Sequence, residues 1–216
     1  GSFDQNAFYF NSIPVYNTSH MFGFFPAFNA DIISDFSIYK GYIPAKYGGK
    51  ISSIFDIHAR DGNKKRYTAH GGISPIAANL TVEGPIKKDT ASFLVSGRAS
   101  YSDWILQQVD DYVIRNSNAS FYDLNASLNY DLPKTQINIF GYYSQDYFKL
   151  HDINTYWYSN KGVSANIGHN FRADFRGDFS LSASKYHFKT IDSQLASAAY
   201  EHEFGIGQYE LKADFQ

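Results

Sequence analysis

Strict alternation of apolar and polar residues, repeated over segments of about ten residues, is the feature that most constrains this fold. Across residues 91–101 every odd-numbered position is Ala, Phe, Val, Gly or Tyr, and most residues between them are Ser or Arg. Across residues 122–130, Tyr, Leu and Ala alternate with Asp, Asn and Ser. Because successive side chains of a strand point to opposite faces, each segment has one apolar and one polar face. Transmembrane β-strands of about 9–11 residues are typical of this pattern.

The second half of the chain contains eight such candidate strands. They cover approximately residues 67–73, 77–84, 91–101, 122–130, 136–146, 163–172, 179–184 and 209–215. The second and third, fourth and fifth, and sixth and seventh strands are joined by short turns rich in Pro, Gly, Asp or Lys. We predict connections of roughly 15–20 residues after the third, fifth and seventh strands. Outer-membrane barrels have short turns at one end and long loops at the other, so the pattern predicts an antiparallel, up-and-down transmembrane sheet.

A soluble β-sandwich is the alternative, because its strands also have two different faces. A sandwich does not require every long loop to lie at one edge of the sheet. It also does not explain the 18 Tyr and 19 Phe residues, which favour strands and membrane interfaces. A membrane barrel is therefore the preferred interpretation.

Composition excludes several function classes. A net charge of −2 does not favour nucleic acid, and no polybasic run predicts binding to anionic lipid. No apolar run is long enough for a transmembrane helix, and no signal peptide is visible. We expect the chain to be a piece of a larger protein.

No motif for catalysis is present. The seven His residues are scattered without metal-ligand spacing, the chain has no Cys, and neither a nucleophile elbow nor a phosphate loop occurs. We therefore predict that the protein is not an enzyme and that it has no cofactor and no metal site.

The composition changes near Asp61-Gly62-Asn63, which is a turn signal. We place a domain boundary there, with one unit at residues 1–62 and a second at residues 63–216. Within the first unit we predict strands near residues 7–13, 36–39 and 51–59. Asn29 is expected to cap a short helical turn over residues 30–33.

Residues 31–41, 44–49 and 52–57 resemble the end of the plug domain of TonB-dependent outer-membrane receptors. The resemblance rests on an acidic and apolar strand that ends in Lys40-Gly41, the turn Tyr47-Gly48-Gly49, and a Ser-rich strand before the barrel. Residues 1–6 and 15–25 look like a subgroup of this family that is common in Bacteroidota. The segment Glu83-Gly84-Pro85-Ile86 at the first tight turn adds to the similarity.

The resemblance implies a mainly β fold: the C-terminal part of a plug domain, followed by the first strands of a barrel of about 22 strands. It implies a transporter in the bacterial outer membrane that imports a siderophore, vitamin, glycan or peptide by TonB-driven plug rearrangement. The implied partners are TonB, through a segment absent from this chain, outer-membrane lipid, the extracellular ligand, and a surface lipoprotein or larger outer-membrane complex. A non-transporting component docked to a larger assembly is the alternative, and a self-contained eight-stranded barrel or soluble β-protein is a third.

Two groups of residues are candidates for functional contacts. The plug loop with Tyr16, Asn17, His20 and Phe22 is expected to face the ligand, although its Phe residues also suit simple packing. Lys40, Lys46, Lys50 and Arg60 are expected to pair with strand carboxylates such as Glu83, Asp123 and Asp131, which would hold the plug in the barrel by polar contacts. Tyr156, Trp157 and Tyr158 suit either a membrane-interface belt or ligand contacts.

Overall fold

The chain folds into two main β-sheets, which a computed structural model describes for residues 6–48, 52–151, 153–192 and 200–216. The smaller, N-terminal sheet has the strand order β2-β1-β6-β5. Its strands are β1 (Asn6–Phe10), β2 (Ile13–Val15), β5 (Ile33–Lys40) and β6 (Ser53–Ala59), and a two-stranded ribbon joins β3 (Ser19–His20) to β4 (Phe25–Pro26). Strand β1 runs parallel to β6, whereas the pairs β1–β2 and β5–β6 are antiparallel.

Two local features of the N-terminal sheet follow from single residues. The strand predicted over residues 7–13 is broken in two, because Asn11 and Ser12 have φ angles of 50° and 71° and form a tight hairpin turn. Asn29 caps a one-turn 3₁₀ helix, Ala30–Ile32, by accepting a hydrogen bond of 3.1 Å from the backbone N–H of Asp31. The predicted cap is present, and the helix ends one residue earlier than expected.

The larger sheet contains eight antiparallel strands in sequential order, which confirms the predicted up-and-down arrangement. Its strands are β7 (Thr68–Ile73), β8 (Ala77–Lys87), β9 (Ala91–Ser100), β10 (Asn118–Asp131), β11 (Thr135–Lys149), β12 (Asn154–Arg172), β13 (Phe175–Asp192) and β14 (Tyr200–Phe215). Two short helices, α1 (Asp103–Leu106) and α2 (Tyr112–Arg115), lie between β9 and β10. Among the described residues, no helix has the length and apolar character needed to cross a membrane.

The predicted connections are correct at one end of the large sheet and partly wrong at the other. Tight turns join β8 to β9, β10 to β11 and β12 to β13, as expected. The long connection after β9 is also present. A long loop between the fifth and sixth strands is not, because β11 continues to Lys149 and β12 already begins at Asn154. The loop predicted over residues 185–208 is also too long, because β13 continues to Asp192 and β14 already begins at Tyr200. Residues 193–199 between them lie outside the described residues.

The two faces of the large sheet have the opposite polarity to those of a water-soluble sheet. Leu124 is 52% exposed, and its neighbour Asn125 is 1% exposed. The same alternation leaves Leu128 and Val95 exposed and buries Ser96. In a soluble protein the apolar side chains would be inside. A sheet with its apolar face outward and its polar face covered by protein is the arrangement of a membrane barrel strand.

An apolar cluster joins the N-terminal sheet to the polar face of the large sheet. Phe10 is fully buried, and its ring makes edge contacts with Phe28, Phe140 and Tyr142 at centroid distances of 5.2, 4.9 and 5.4 Å. Phe140 and Tyr142 belong to β11, so the cluster spans both sheets. Such edge-to-face ring contacts add directional stabilisation to the burial itself.

Gly62 lies where the chain passes from the N-terminal sheet to the large sheet. A Cβ at this position would lie 2.1 Å from the carbonyl oxygen of Phe93. This oxygen belongs to the backbone, so relieving the clash requires a shift of the strand. We expect Gly62→Ala to lower the free energy of unfolding by about 1–3 kcal/mol through overpacking. Urea unfolding of the complete protein in lipid vesicles measures this. Gly48→Ala is the control, because a Cβ there meets nothing within 4 Å; equal midpoints for both variants would contradict the prediction.

Candidate functional site

The N-terminal segment covers the polar face of the large sheet mainly through hydrogen bonds between short side chains. Asn11 Nδ2 donates to Asn138 Oδ1 at 2.6 Å, and Ser12 Oγ donates to Asn166 Oδ1 at 2.8 Å. Ser164 Oγ donates to the carbonyl oxygen of Asn11 at 2.6 Å. Each bond contributes about 0.5–1.5 kcal/mol net. Attachment therefore depends on many modest contacts, which can be broken and remade singly.

His20 makes the strongest link between the segment and the large sheet. Its Nδ1 lies 2.7 Å from Asp146 Oδ2 on β11, and its Nε2 lies 2.8 Å from Asp123 Oδ1 on β10. The backbone N–H of Met21 donates to the other oxygen of Asp146 at 3.1 Å. His20 is only 1% exposed. We call this group, with Arg98 and Phe121, the His20 junction.

Arg98 and Phe121 complete the His20 junction. Arg98 Nε donates to Asp123 Oδ2 at 2.8 Å, and its Nη2 donates to the carbonyl oxygen of Pro26 at 2.7 Å. The His20 ring stacks on Phe121 at 4.3 Å, and the guanidinium of Arg98 lies 5.1 Å from the same ring. The junction thus combines two carboxylates with an imidazole and a guanidinium in a buried site, where a lost partner is costly.

The charge of His20 depends on its two carboxylate partners. Burial by itself would lower the pKa of His20, but the contacts with Asp123 and Asp146 outweigh it and raise the pKa above the usual value. The two carboxylates lie at opposite nitrogens of the ring, so they do not converge with it on one point. The described residues contain no group of His, Cys, Asp or Glu side chains arranged to hold a metal ion.

A second ion pair lies where the N-terminal segment enters the large sheet. Arg60 Nη1 lies 2.7 Å from Glu83 Oε2, which also accepts a hydrogen bond of 2.8 Å from the backbone N–H of Asn63. The sequence had placed Arg60 and Glu83 in this role. Asp131, also named there as an acceptor, pairs with Lys64, a residue that the sequence did not single out.

The other sequence-predicted cations do not reach strand carboxylates. Lys46 lies over the ring of Tyr47, 5.0 Å from its centroid, within the N-terminal segment itself. Lys40 is exposed at the end of β5, without an ion pair to any described residue. Lys50 lies outside the described residues. Asp123 is indeed held by cationic groups, but they are His20 and Arg98 rather than lysines.

The predicted ligand-facing loop divides between two roles. Tyr16 is half-buried: its hydroxyl bonds Gln208 on β14, and its ring lies 5.9 Å from Tyr186. The carbonyl oxygen of Asn17 accepts from Asn160 at 3.2 Å. His20, by contrast, is enclosed in the His20 junction and faces no open surface. Of Phe22 only the backbone is described, within the 3₁₀ turn Met21–Gly23.

His58 forms a separate charged group on the N-terminal sheet. Its Nδ1 lies 2.6 Å from Asp35, and its Nε2 lies 3.2 Å from Asp56, which also accepts the Tyr47 hydroxyl. The hydrogen bonds that His58 donates to Asp56 and Asp35 raise its pKa to about 9 despite burial. The group borders a polar cavity of about 420 Å³ near the short-turn end of the large sheet.

An aromatic surface lies on the inner face of the large sheet, at the end away from the short turns. It consists of Phe148, Tyr156, Tyr158, Tyr186, Phe188 and Phe204, which we call the aromatic wall. Tyr158 stacks on Phe188 at 5.5 Å, and Phe188 contacts Phe204 at 5.0 Å. Phe204 is 42% exposed. Tyr16 extends the wall onto the N-terminal segment.

The structure places Tyr156, Trp157 and Tyr158 on different faces of the large sheet. Tyr156 and Tyr158 lie on the inner face, whereas Trp157, between them, lies on the outer face opposite Tyr147. No alternation marks this stretch, because Tyr156, Trp157 and Tyr158 are three consecutive aromatic residues. The loop predicted after the fifth strand covers this stretch, so the sequence did not predict the wall.

An up-and-down sheet with an apolar outer face, and a segment packed on its polar inner face, has the fold of an outer-membrane receptor barrel. The pyoverdine outer membrane receptor FpvA from Pseudomonas aeruginosa, bound to pyoverdine, matches with a TM-score of 0.70 at 14% identity, covering 97% of this chain and 36% of that one. The siderophore receptor PirA from Acinetobacter baumannii matches with a TM-score of 0.66 at 10% identity, covering 97% and 37%. A mutant of the ferric enterobactin receptor PfeA from P. aeruginosa gives 0.60 at 12% identity, covering 96% and 38%.

These similarities establish the fold. The chain spans just over a third of the length of the receptors that it matches. No family model matches the sequence, and a search of curated proteins finds no match.

Proposed function

We propose that this chain is the end of the plug and the first barrel strands of a TonB-dependent outer-membrane transporter. The observation that carries the proposal is the reversed polarity of the large sheet: Leu124 and Leu128 face outward, and Asn125 and Asn129 are buried under the N-terminal segment. In this proposal residues 1–62 belong to the plug and residues 63–216 to the barrel. The resemblance of residues 15–25 to a subgroup common in Bacteroidota supports a source in that group.

The polar attachment of the plug suits a transport cycle. A plug held by hydrogen bonds, by the His20 junction and by one compact apolar cluster around Phe10 can be displaced when TonB pulls on it, and it can return to the same contacts. A continuous apolar interface would resist such a movement, because exposing it to a water-filled lumen is costly. The protein acts as a receptor and importer rather than as an enzyme.

Uptake by the intact host tests the transporter. Labelled ferric siderophore, cobalamin, oligosaccharide and peptide are supplied separately to the wild-type strain, to a strain lacking this gene and to a strain lacking TonB. We expect one of the four to be taken up only when both the gene and TonB are present. Unchanged uptake of all four, or loss that does not require TonB, contradicts the proposal.

The aromatic wall is proposed to bind the extracellular ligand. The double variant Phe188→Ala/Phe204→Ala removes two stacking rings, each contributing about 0.5–1.5 kcal/mol, and should weaken binding of the imported nutrient about ten-fold. Calorimetry with the purified complete protein measures the affinity. Trp157→Ala is the matched control, since it removes a larger ring from the outer face of the same region. If the control weakens binding as much as the double variant, the wall is not the binding surface.

A further inference from the structure

The outer face of the large sheet changes from apolar to cationic along strand β12. On β12 the outward positions from Val163 to Phe171 are mostly apolar, and the next outward residue is Lys161. Lys161 lies directly opposite Lys185 on β13, and both are exposed. We call these two residues the lysine pair.

The height of the apolar stretch places the lysine pair at a membrane surface. The distance from Phe171 to Lys161 is about 33 Å along the strand, at about 3.3 Å for each residue. Strands tilted by about 45° convert this into about 23 Å along the membrane normal, close to the apolar band of about 25 Å that outer-membrane barrels present to lipid. The pair therefore lies at headgroup level, on the side away from the short turns.

The charge of the lysine pair is only partly balanced by its surroundings. Opposed residues in neighbouring strands have Cβ atoms about 5 Å apart, so two like charges destabilise each other. The nearby carboxylates of β14 have closer partners, since Glu203 pairs with His187 and Glu201 with Lys189, each at 2.7 Å, and Lys185 interacts with Glu203 only at longer range. Within the described ranges neither Lys161 nor Lys185 forms an ion pair. An external anion is the group that this arrangement favours.

The surface beside the lysine pair is open to such an anion. Lys185 lies opposite Gly207 on β14, where a Cβ would meet nothing within 4 Å. Ser159 lies in the next outward row and offers a hydroxyl donor. Two ammonium groups with a hydroxyl beside an uncovered glycine match the oxygen atoms of a phosphate.

We propose that the lysine pair binds the phosphate of a membrane lipid headgroup, in the leaflet away from the short turns. This inference rests on the proposed membrane placement. Each lysine near a charged membrane surface contributes about 1 kcal/mol, which corresponds to about five-fold in affinity. Loss of both should weaken lipid retention about 30-fold.

Retention of lipid by the complete protein tests the site. The wild type and the variant Lys161→Gln/Lys185→Gln are placed in nanodiscs of phosphatidylcholine with a minor fraction of bisphosphorylated lipid A, and native mass spectrometry counts the lipid A that remains bound. We expect about 30-fold weaker retention by the variant. The control Lys88→Gln/Lys149→Gln removes the same charge from exposed positions away from the pair and should retain lipid A like the wild type.

Three results would overturn the lipid site. They are equal retention by both double variants, equal retention of dephosphorylated lipid A, and complete displacement by inorganic phosphate, which would indicate a site for free phosphate. Failure of the proposed function has a different signature: the wild type itself would not enter nanodiscs. Insertion without selective retention contradicts the lipid site alone.

Discussion

Replacing His20 by alanine is expected to detach the N-terminal segment from the large sheet, at a cost of about 3–5 kcal/mol. His20 contacts Asp123 and Asp146 at 2.8 and 2.7 Å, and all three side chains are buried. Without the imidazole, Asp146 keeps only the backbone N–H of Met21, and two carboxylates face each other across a cavity. Loss of the ring that stacks on Phe121 adds to the cost.

Hydrogen exchange of backbone amides in residues 15–30 of the complete protein measures this detachment. The matched control is His58→Ala, because His58 also contacts two carboxylates, Asp35 and Asp56, but within the N-terminal sheet and with a side chain that is 43% exposed. We expect fast exchange in the first variant and near-wild-type exchange of the same amides in the second. Equal protection in both would show that the His20 junction does not hold the segment.

The His20 junction also predicts how plug attachment responds to pH. The pKa of His20 is raised in the folded protein, so its contribution is fully present below the ordinary value of about 6.5 and is lost as the pH rises through the raised value. Exchange of residues 15–30 should therefore accelerate with pH beyond its intrinsic dependence. His20→Gln keeps a hydrogen-bonding side chain without the charge, and this additional pH dependence should disappear in it.

Introducing a charge at the centre of the apolar face is the second change with a large expected effect. Ala126 is exposed on β10, midway between Tyr122 and Tyr130 at the ends of the outward stretch. In a membrane, Ala126→Arg should cost about 2–4 kcal/mol, because arginine at the bilayer midplane loses its hydration. In water the same substitution on an exposed strand would have little effect.

Urea unfolding in lipid vesicles distinguishes the two environments. Thr155→Arg is the matched control, because Thr155 lies on the outer face of β12 but three outward positions beyond Lys161, away from the apolar stretch. Its expected cost is about 0–1 kcal/mol. If Ala126→Arg and Thr155→Arg cost the same, the apolar face is not covered by hydrocarbon, and the transporter proposal fails with it.

Local sequence patterns predicted most of the secondary structure. Alternation predicted all eight strands of the large sheet, because the period of two is a property of each strand alone. Asn29 was recognised as a cap from its own side chain and the residues after it. The wrong predictions fall where apolar and polar residues do not alternate. Strands β11 and β12 continue as an aromatic hairpin in place of a long loop, β13 and β14 extend beyond the predicted strands, and β1 ends at a turn formed by Asn11 and Ser12.

The candidate site was predicted only in part. Arg60 and Glu83 were named and do meet, and Tyr16 does lie beside aromatic residues of the large sheet. The partners of His20 could not be found, because Asp123 and Asp146 are more than one hundred residues away along the chain. Charge complementarity alone also assigned lysines to carboxylates that Arg98 and His20 occupy.

The order of apolar and polar residues along each strand determines that this chain forms a two-faced antiparallel sheet, since that order sets which side chains share a face. Strand register and the packing of the two sheets decided which side chains from distant parts of the chain meet. Pairing across 24 residues places Lys161 beside Lys185, and docking of the N-terminal segment encloses His20 between two strands. Such contacts depend on the relative positions of whole strands, and no local stretch of sequence contains that information.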